Sequence, residues 1–472
     1  MCDLWSMSAH AELRSLLGDD AVLDGRLPQA AAYLHDETET RAIVGSADAV
    51  ALPASAQQAA SVVAWCYAHD VPLVPRGGGT GFAGGAVPLD GGVVLGLERL
   101  RSPVRIEPER WRAWVPAGLT TAALRRLARE HGLYYPPDPG SAEASLVGGN
   151  IATNAGGPHT FKYGVTGNWV TGLEVVLAPG ELVRIGGASR KDVGGYDLRS
   201  LLVGSEGTLG VITGAWVKLL PAPEAALPVV ALYPDLESGM AALDAALTCG
   251  VVPAALEFLD RGALAASLAA FDRGVHQLAP ELRARAQLML IAEADGSEWE
   301  AAAGQRELEL ALGPGSLALH APTASARIAA LWRWRDSVSG AVTAVRGGKL
   351  SEDVVVPVEH LAQLVRFTVE LGERHALPAC SWGHAGDGNV HATFMIDRAD
   401  ADQVHRAELA AHELFALAAS LGGAITGEHG VGLVKQRQLA LQWPPAALAL
   451  HEGVKRLLDP KGLLNPGKKL AR

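Results

Sequence analysis

The sequence predicts an α+β fold divided between at least two domains, and three observations support this. The 472 residues are too many for one hydrophobic core, since single cores stop growing beyond about 250–300 residues. Short Val-, Leu- and Ile-rich runs alternate with glycine clusters over residues 48–221. From residue 225 onwards, similar strand-like runs alternate with Ala- and Leu-rich helical stretches instead. Residues 221–223, which read Pro-Ala-Pro, separate the two patterns.

The first region, residues 1–222, is predicted to be one α+β domain with few helices. Residues 55–69 are expected to form a helix that leads into a strand at 71–74. Residues 120–132 are expected to form a second helix, which begins at a Thr cap and ends at a Gly. The glycine-rich segments that follow are expected to be loops.

Residues 223–405 are predicted to be a second, substrate-binding domain, and residues 406–472 a C-terminal segment. The expected strands of the second domain are residues 227–232, 287–293 and 354–357, and its expected helices include residues 236–248 and 298–312. The C-terminal segment opens with a helix and contains a Glu-His loop at residues 428–429.

Charge and cysteine usage exclude several functional classes. The formal net charge is −11 and no dense run of Lys and Arg occurs, so nucleic acid is not an expected partner. The four cysteines are scattered, with no C-x-x-C spacing. This argues against a disulfide framework, a thiolate zinc site and an iron–sulfur cluster, and it fits a reducing, cytoplasmic setting.

The first twenty residues do not resemble a targeting segment. They include four acidic residues and lack a basic stretch followed by a long apolar run. No segment reaches the roughly 18 uninterrupted apolar residues needed to span a membrane. Peripheral membrane contact stays open.

Residues 384–391, which read His-Ala-Gly-Asp-Gly-Asn-Val-His, suggest a metal site. A two-residue hairpin centred on Asp-Gly would place His384 opposite His391, with Cβ atoms about 4.5–5.5 Å apart. That separation suits two nitrogen ligands about 2.0–2.1 Å from one ion. Glu428 and His429 offer a carboxylate and a further imidazole. The alternative is that these are ordinary polar residues of a strand edge and a loop.

The glycine loop at residues 74–85 predicts phosphate binding outside a Rossmann fold. It contains G-x-G-x-x-G, but a turn and another strand follow where the Rossmann fingerprint requires a helix. Successive backbone N–H groups of such a loop can form an anion-binding nest. Further small-residue segments at 136–157 and 204–212 suggest a long, polyphosphorylated ligand. A hydrolase is not expected, since Val203 replaces the Gly that precedes a serine nucleophile elbow.

With these motifs assembled, the chain resembles flavoproteins of the vanillyl-alcohol oxidase superfamily. More narrowly, it resembles the branch containing D-lactate dehydrogenases, D-2-hydroxyglutarate dehydrogenase and the FAD subunit of glycolate oxidase. The resemblance runs from about residue 34 to residue 469 and includes a closing Leu-Asn-Pro-Gly-Lys at 464–468. It implies a PCMH-type two-lobed FAD-binding domain, an antiparallel sheet-and-helix cap domain, and a C-terminal segment that returns to the FAD-binding domain.

The resemblance also implies that FAD is bound without a covalent link. No His occurs in the loop at 75–85, and His159 is the remaining candidate for covalent attachment. The residues implied to contact FAD are Arg76, Gly77, Gly78, Gly79, Thr80, Gly81, Gly84, Gly85, Ser141, Gly148, Thr153, Asn154, Gly156, Gly157, Glu206, Ile212 and Asn465.

For catalysis, the resemblance implies a divalent metal, zinc, and a 2-hydroxy acid substrate. A metal bound by the substrate's hydroxyl and carboxylate oxygens lowers the hydroxyl pKa, a His base takes the proton, and hydride leaves for flavin N5. The implied metal ligands are His384, His391 and Glu428, the implied base is His429, and the implied substrate-binding residues are Arg335 and Lys349.

These features predict an FAD-dependent D-2-hydroxyacid dehydrogenase of lactate-like or broad specificity. Without iron–sulfur ligands, electrons must leave for an external acceptor such as a quinone, an electron-transfer flavoprotein or a cytochrome. The alternatives are a peroxide-forming oxidase, a D-2-hydroxyglutarate or glycolate dehydrogenase, a non-redox transferase of the ether-lipid synthase type, and a non-catalytic FAD subunit. Homodimer formation stays open.

Overall fold

The computed structural model describes residues 2–41 and 43–470, and side chains for residues 9–38, 41 and 43–470. The chain forms two compact units. The first contains the chain up to Gly156, residues Val165–Ala222 and the chain from Glu428 onwards, and the second contains Gly157–Gly164 and Pro223–Gly427. The chain therefore re-enters the first unit after residue 427. The domain boundary after residue 405 stays a prediction.

The segment before residue 222 contains six helices and eleven short strands among its described residues. The helices are α1 Cys2–Leu17, α2 Ala56–Ala68, α3 Thr121–Glu130, α4 Val147–Thr153, α5 Thr160–Tyr163 and α6 Leu198–Leu202. The strands are β1 Val22–Asp24, β2 Ala49–Ala51, β3 Leu73–Arg76, β4 Val93–Gly96, β5 Arg105–Glu107, β6 Arg112–Pro116, β7 Leu133–Tyr134, β8 Val170–Leu177, β9 Glu181–Gly186, β10 Val211–Lys218 and β11 Leu220–Pro221.

The two predicted helices of this segment are confirmed, and their caps explain where they begin. The side chain of Ser55 accepts the backbone N–H of Gln58 at the start of α2. The side chain of Thr120 accepts that of Ala123 at the start of α3. Each cap satisfies one of the N–H groups that has no partner within its helix.

The first unit contains two larger sheets, in strand orders β1-β2-β4-β3 and β5-β6-β10-β8-β9, and a two-stranded sheet that pairs β7 with β11. Helix α2 packs on the first sheet in a core that includes Val62, Leu73 and Leu95. The returning C-terminal segment joins this core through Leu464, which forms a parallel bridge with Leu73. This segment also carries α14 Leu439–Gln442 and α15 Pro445–Leu458.

The second unit is a seven-stranded antiparallel sheet covered by helices. Its strands are β12 Ala225–Tyr233, β13 Ala255–Asp260, β14 Leu288–Gly296, β15 Ala318–His320, β16 Gly348–Val355, β17 Ala379–His384 and β18 Asn389–Ile396, in the order β15-β12-β14-β13-β17-β18-β16. Its helices, apart from α5, are α7 Leu236–Thr248, α8 Arg261–Gly274, α9 Pro280–Arg285, α10 Glu298–Leu312, α11 Ser325–Arg346, α12 Leu361–Arg374 and α13 Ala401–Ser420.

Helices α8 and α11 cover one face of this sheet. Phe271 of α8 and Trp334 of α11 pack with Met289 and Trp382 of the sheet in one buried cluster. The predicted antiparallel sheet-and-helix domain is therefore confirmed. None of the helices in the described part of the chain is long and apolar enough to cross a membrane.

Candidate FAD-binding loops and metal centre

The glycine loop after β3 lies close against the start of α4, and its glycines make this approach feasible. No helix follows the loop, and the next regular element is β4. A Cβ atom on Gly77 would lie 3.1 Å from the Cα of Gly149, and one on Gly78 would lie 2.2 Å from the carbonyl oxygen of Ala144. Side chains at these positions would collide with backbone, so the loop presents its peptide groups bare, as an anion-binding nest requires.

Arg76 anchors the start of this loop. Its Nη1 donates to the carbonyl of His35 at 2.6 Å and its Nη2 to that of Ala32 at 2.7 Å. Burial lowers the pKa of the Arg76 guanidinium. The resemblance implies that Arg76 contacts FAD, and in the structure its guanidinium binds backbone carbonyls. The contacts therefore support a role in fixing the loop.

Asn465 connects the glycine loop, the loop at 204–212 and the C-terminal segment. Its Nδ2 donates to the carbonyl of Gly85 at 2.8 Å and to that of Glu206 at 2.7 Å. Its Oδ1 is buried and has no hydrogen-bond partner among the described residues. A buried acceptor without a partner is costly, and a ligand carrying O–H or N–H donors would satisfy it. FAD has such donors, so the arrangement fits this cofactor.

Glu206 is held in a left-handed conformation, with φ of 55°. Its buried carboxylate accepts the backbone N–H groups of Val431 at 2.9 Å and Gly432 at 2.7 Å. The side chain thus fixes the segment that follows His429.

The other residues implied to bind FAD lie on the same segments. The structure places a short helix, α4, where the sequence analysis expected a loop, and Gly148 and Thr153 belong to it. Ser141 Oγ donates to Thr80 Oγ1 at 3.3 Å, and Asn154 Oδ1 accepts the N–H of Gly167 at 2.8 Å. Gly156 is the last residue of the first segment of the first unit, and Gly157 is the first residue of the segment 157–164 that belongs to the second unit. Ile212 lies in β10.

A cavity of about 500 Å³ opens in the first unit beside Asn465. Thr208 and Lys455 contribute to its lining. The Lys455 ammonium donates to the carbonyl oxygens of Thr208 and Leu464, each at 2.7 Å. The lining is therefore held in place by hydrogen bonds within the unit.

His384 and His391 lie on one face of the β17–β18 hairpin, but the predicted register is wrong. His384 pairs with Asn389, and His391 pairs with Trp382. The connecting loop has four residues, 385–388, rather than two. Because the register differs from the prediction by two residues, both imidazoles keep the same face. Their ring centroids are 5.5 Å apart at an interplanar angle of 84°.

Glu257, from the neighbouring strand β13, contacts both His384 and Arg335. Its Oε1 lies 2.5 Å from Nδ1 of His384, and its Oε2 accepts Nε of Arg335 at 2.8 Å and also forms a salt bridge with Nη2 of Arg335. Burial would raise the pKa of Glu257, but the charges and hydrogen bonds of Arg335 and His384 outweigh it and hold this pKa at about 2. The group is thus a carboxylate, and the His384 nitrogen facing it carries a proton.

Three side chains that could bind one metal ion come together here. One ligand atom from each of His384, His391 and Glu428 lies within 4.8 Å of the others. The two histidines are buried. Two imidazoles and one carboxylate with room for further ligands are the donor set of many catalytic zinc sites, so these residues fit a divalent metal.

Asp353 fixes the chain immediately before Glu428. It lies opposite His391 in the β16–β18 pairing, and its Oδ1 accepts the backbone N–H of Gly427 at 2.5 Å. Its Oδ2 accepts the hydroxyl of Thr426 at 2.9 Å. A Cβ on Gly427 would lie 2.4 Å from Nδ2 of Asn389, so a glycine is needed at this approach.

The structure places the proposed base and the proposed lysine in different surroundings. The ring of His429 packs against Phe82 of the glycine loop, with 4.6 Å between centroids. The Lys349 ammonium donates to the carbonyl of Ser339 at 2.9 Å and lies 5.4 Å from the ring centre of Trp382. Burial lowers the pKa of Lys349 to about 8.

His159 lies within the second unit, immediately before α5. Its Nε2 lies 3.0 Å from Oε1 of Glu293, and its ring packs near that of Trp332. This hydrogen bond occupies the nitrogen and supports the expectation of FAD bound without a covalent link.

Sequence reasoning missed Glu257, Asp353 and Asn389. Glu257 is the one ionisable residue inside the otherwise apolar stretch at 255–259. A charge in a buried strand needs a partner, and this could have marked it. Asn389 donates to Asp353 at 3.0 Å, a contact that sequence spacing does not reveal.

The chain matches two family models that together cover most of its length. Residues 222–469 match the family described as "FAD linked oxidases, C-terminal domain". Residues 47–186 match the family described as "FAD binding domain".

Several curated proteins are similar over nearly the whole chain. The chain is 37% identical to the glycolate oxidase subunit GlcD of Bacillus subtilis, over 90% of this chain and 89% of that protein. It is 33% identical to a D-lactate dehydrogenase of Anaerostipes hadrus, over 97% and 95%. It is 35% identical to a D-2-hydroxyglutarate dehydrogenase of Xanthomonas citri pv. viticola, over 89% and 88%.

Solved structures with the same fold are more distant in sequence. p-Cresol methylhydroxylase superposes with a TM-score of 0.80 at 19% identity, covering 98% of this chain and 96% of the other. An alkyldihydroxyacetonephosphate synthase superposes with a TM-score of 0.73 at 16% identity, covering 97% and 84%. These similarities confirm the predicted PCMH-type fold class.

Proposed function

The chain belongs to the FAD-linked oxidase family, and from this we infer that it is an FAD-dependent oxidoreductase that converts a 2-hydroxy acid into the 2-oxo acid. Relatives named for the oxidation of D-lactate, D-2-hydroxyglutarate and glycolate match it over most of their length. The bare glycine loop and the unpartnered Oδ1 of Asn465 support FAD binding in the first unit.

More finely, we propose a D-2-hydroxyacid dehydrogenase of lactate-like or broad specificity that uses a divalent metal, zinc. The observation that carries the metal is the group of His384, His391 and Glu428, whose ligand atoms lie within 4.8 Å of one another. The proposed FAD contacts are the glycine loop, α4, the loop at 204–212 and Asn465.

FAD, when bound, supplies the hydride acceptor, and a divalent metal would act as the Lewis acid that lowers the pKa of the substrate hydroxyl. The chain's own residues bind the substrate and take its proton. Arg335 binds the substrate carboxylate, because its guanidinium keeps N–H groups beyond those donated to Glu257. His429 accepts the hydroxyl proton on a ring nitrogen. Lys349 lines the far end of the substrate site beside Trp382.

The electrons are proposed to leave for an external acceptor such as a quinone, an electron-transfer flavoprotein or a cytochrome. The described cysteines are free and well separated in sequence, so no thiolate cluster is formed by Cys66, Cys249 and Cys380. Free thiols also support the proposed cytoplasmic location. The similarity to an alkyldihydroxyacetonephosphate synthase shows the fold alone, so the non-redox alternative lacks an observation of its own.

The proposal is tested by the visible absorbance of the purified protein without oxygen. We expect D-lactate, glycolate or D-2-hydroxyglutarate to bleach the flavin band, and L-lactate to leave it oxidised. A flavin band that no 2-hydroxy acid bleaches would contradict the substrate class, and folded protein without a flavin band would contradict the cofactor. Reoxidation by air as fast as by a quinone would favour an oxidase.

A further inference from the structure

Glu257 is a fully buried carboxylate in the middle of a strand whose other residues are almost all apolar. It lies on β13, opposite His384 of β17, and none of its surface is exposed. Removing a carboxylate from water costs free energy unless hydrogen bonds and opposite charges compensate for it. The contacts of Glu257 therefore explain how this strand accommodates it.

The two oxygens of Glu257 have different partners. Oε1 accepts a hydrogen bond from Nδ1 of His384 at 2.5 Å. Oε2 accepts one from Nε of Arg335 at 2.8 Å and also forms a salt bridge with its Nη2. The partners come from different elements, since His384 ends β17 and Arg335 lies on α11. One rigid group therefore sets the orientation of an imidazole and of a guanidinium at once.

We infer that Glu257 is a positioning residue that holds both the metal-binding imidazole and the substrate-binding guanidinium of this enzyme. Because Glu257 accepts a hydrogen bond from the protonated Nδ1 of His384, the lone pair of that ring lies on Nε2, the atom that would bind a metal. Because Glu257 binds one edge of the Arg335 guanidinium, through Nε and Nη2, the remaining N–H groups can bind the substrate carboxylate. The inference rests on the proposed function.

The chemistry of the carboxylate makes the inference testable by one substitution. In Glu257→Gln the amide has a single acceptor oxygen, and its NH2 group must face one of the two donors. The charged guanidinium of Arg335 is the stronger competitor for the oxygen. His384 then loses its acceptor, and its ring is free to rotate or to change tautomer.

The first measurement is cobalt(II) binding to chelator-treated, FAD-loaded protein, by calorimetry and by the visible cobalt absorbance. We expect Glu257→Gln to bind cobalt about 10–100-fold more weakly, the usual effect of losing such an outer-sphere partner. We also expect a raised KM for the 2-hydroxy acid, since Arg335 is no longer held by two contacts. Glu293→Gln is the matched control, because Glu293 is also buried and also contacts a histidine, His159. It should leave cobalt binding unchanged.

A double variant separates positioning from general structural damage. In Glu257→Gln combined with Arg335→Met, the amide oxygen no longer has a competing cation and is free to accept the Nδ1–H of His384. We expect cobalt affinity to recover toward that of the wild type while the substrate KM stays high. The double variant also removes the buried charge of Arg335, which lacks a carboxylate partner in Glu257→Gln. It therefore keeps the test possible if Glu257→Gln alone fails to fold.

The possible results separate a failure of the positioning role of Glu257 from a failure of the proposed metal site. Equal cobalt affinity and equal KM in Glu257→Gln and Glu293→Gln would overturn the inference, as would a double variant that binds cobalt no better than the single one. Wild-type protein that binds no cobalt, while substrate still bleaches its flavin, would instead overturn the metal of the proposed function and with it the metal half of this inference. The comparison of KM values would then test whether Glu257 positions Arg335.

Discussion

At the scale of single residues, His384 and His391 share a face of the hairpin even though the predicted register is wrong. Side chains on a strand alternate between faces, so a shift of two residues moves a partner without moving a face. His384 faces Asn389 rather than His391, yet both imidazoles lie with Glu257 and Asp353 on the side of the sheet covered by α8 and α11.

Replacing His384 or His391 by Ala should abolish turnover and leave FAD bound. The metal is expected to contribute several kcal/mol to the chemical step, which corresponds to a loss of roughly a hundredfold or more in kcat. The proposed FAD contacts lie mainly in the first unit and are not changed. The measurement is the anaerobic rate of flavin reduction together with the ratio of flavin to protein.

His405→Ala is the matched control, because His405 is exposed on α13. Full reduction rates in both His384→Ala and His391→Ala would exclude these residues as metal ligands. Loss of flavin from either variant would instead show a general structural effect.

At the scale of elements, α4 shows why glycine patterns do not distinguish loops from helices. Glycine disfavours a helix interior by up to about 1 kcal/mol, so Gly148 and Gly149 suggested a loop. The structure shows a helix there, and glycine is needed at Gly148 because the site has no room for a side chain. A Cβ on Gly148 would lie 2.6 Å from Cβ of Ala117, on the connection after β6. Close packing outweighs the intrinsic preference.

Gly148→Ala should therefore weaken both the first unit and its hold on FAD. The methyl group must displace α4 from Ala117, at an expected cost of about 1–3 kcal/mol for an overpacked site. A lower ratio of flavin to protein and a melting temperature lowered by several degrees are expected. Gly140→Ala is the control, since a Cβ there meets nothing within 4 Å. Equal flavin content in the two variants would refute the packing argument.

At the scale of the whole molecule, each of the two units has its own buried core. The core of the first joins α2 to its four-stranded sheet and includes Leu464 from the C-terminal segment. The core of the second joins α8 and α11 to the seven-stranded sheet. The proposed FAD contacts lie mainly in the first unit, whereas His384 and His391 lie in the second.

Calorimetry of the intact chain should accordingly resolve two unfolding transitions with different ligand responses. FAD at about 100 times its Kd should stabilise the unit that binds it by about 2.7 kcal/mol and raise one transition. A chelator should lower mainly the other, because His384 and His391, two of the three proposed metal ligands, belong to the second unit. A single transition that shifts with both ligands would show that the two units unfold together.

The sequence by itself determined the features that depend on neighbours along the chain. The helices at 55–69 and 120–132, the Thr120 cap, the sheet-and-helix alternation, the glycine loop and the shared face of His384 and His391 all follow from local spacing. Only the tertiary structure decided which distant groups meet. Glu257 reaches His384 across 127 positions and Arg335 across 78, and Asp353 reaches Gly427 across 74. No local period encodes such contacts, because they arise from the order in which strands pair and helices pack.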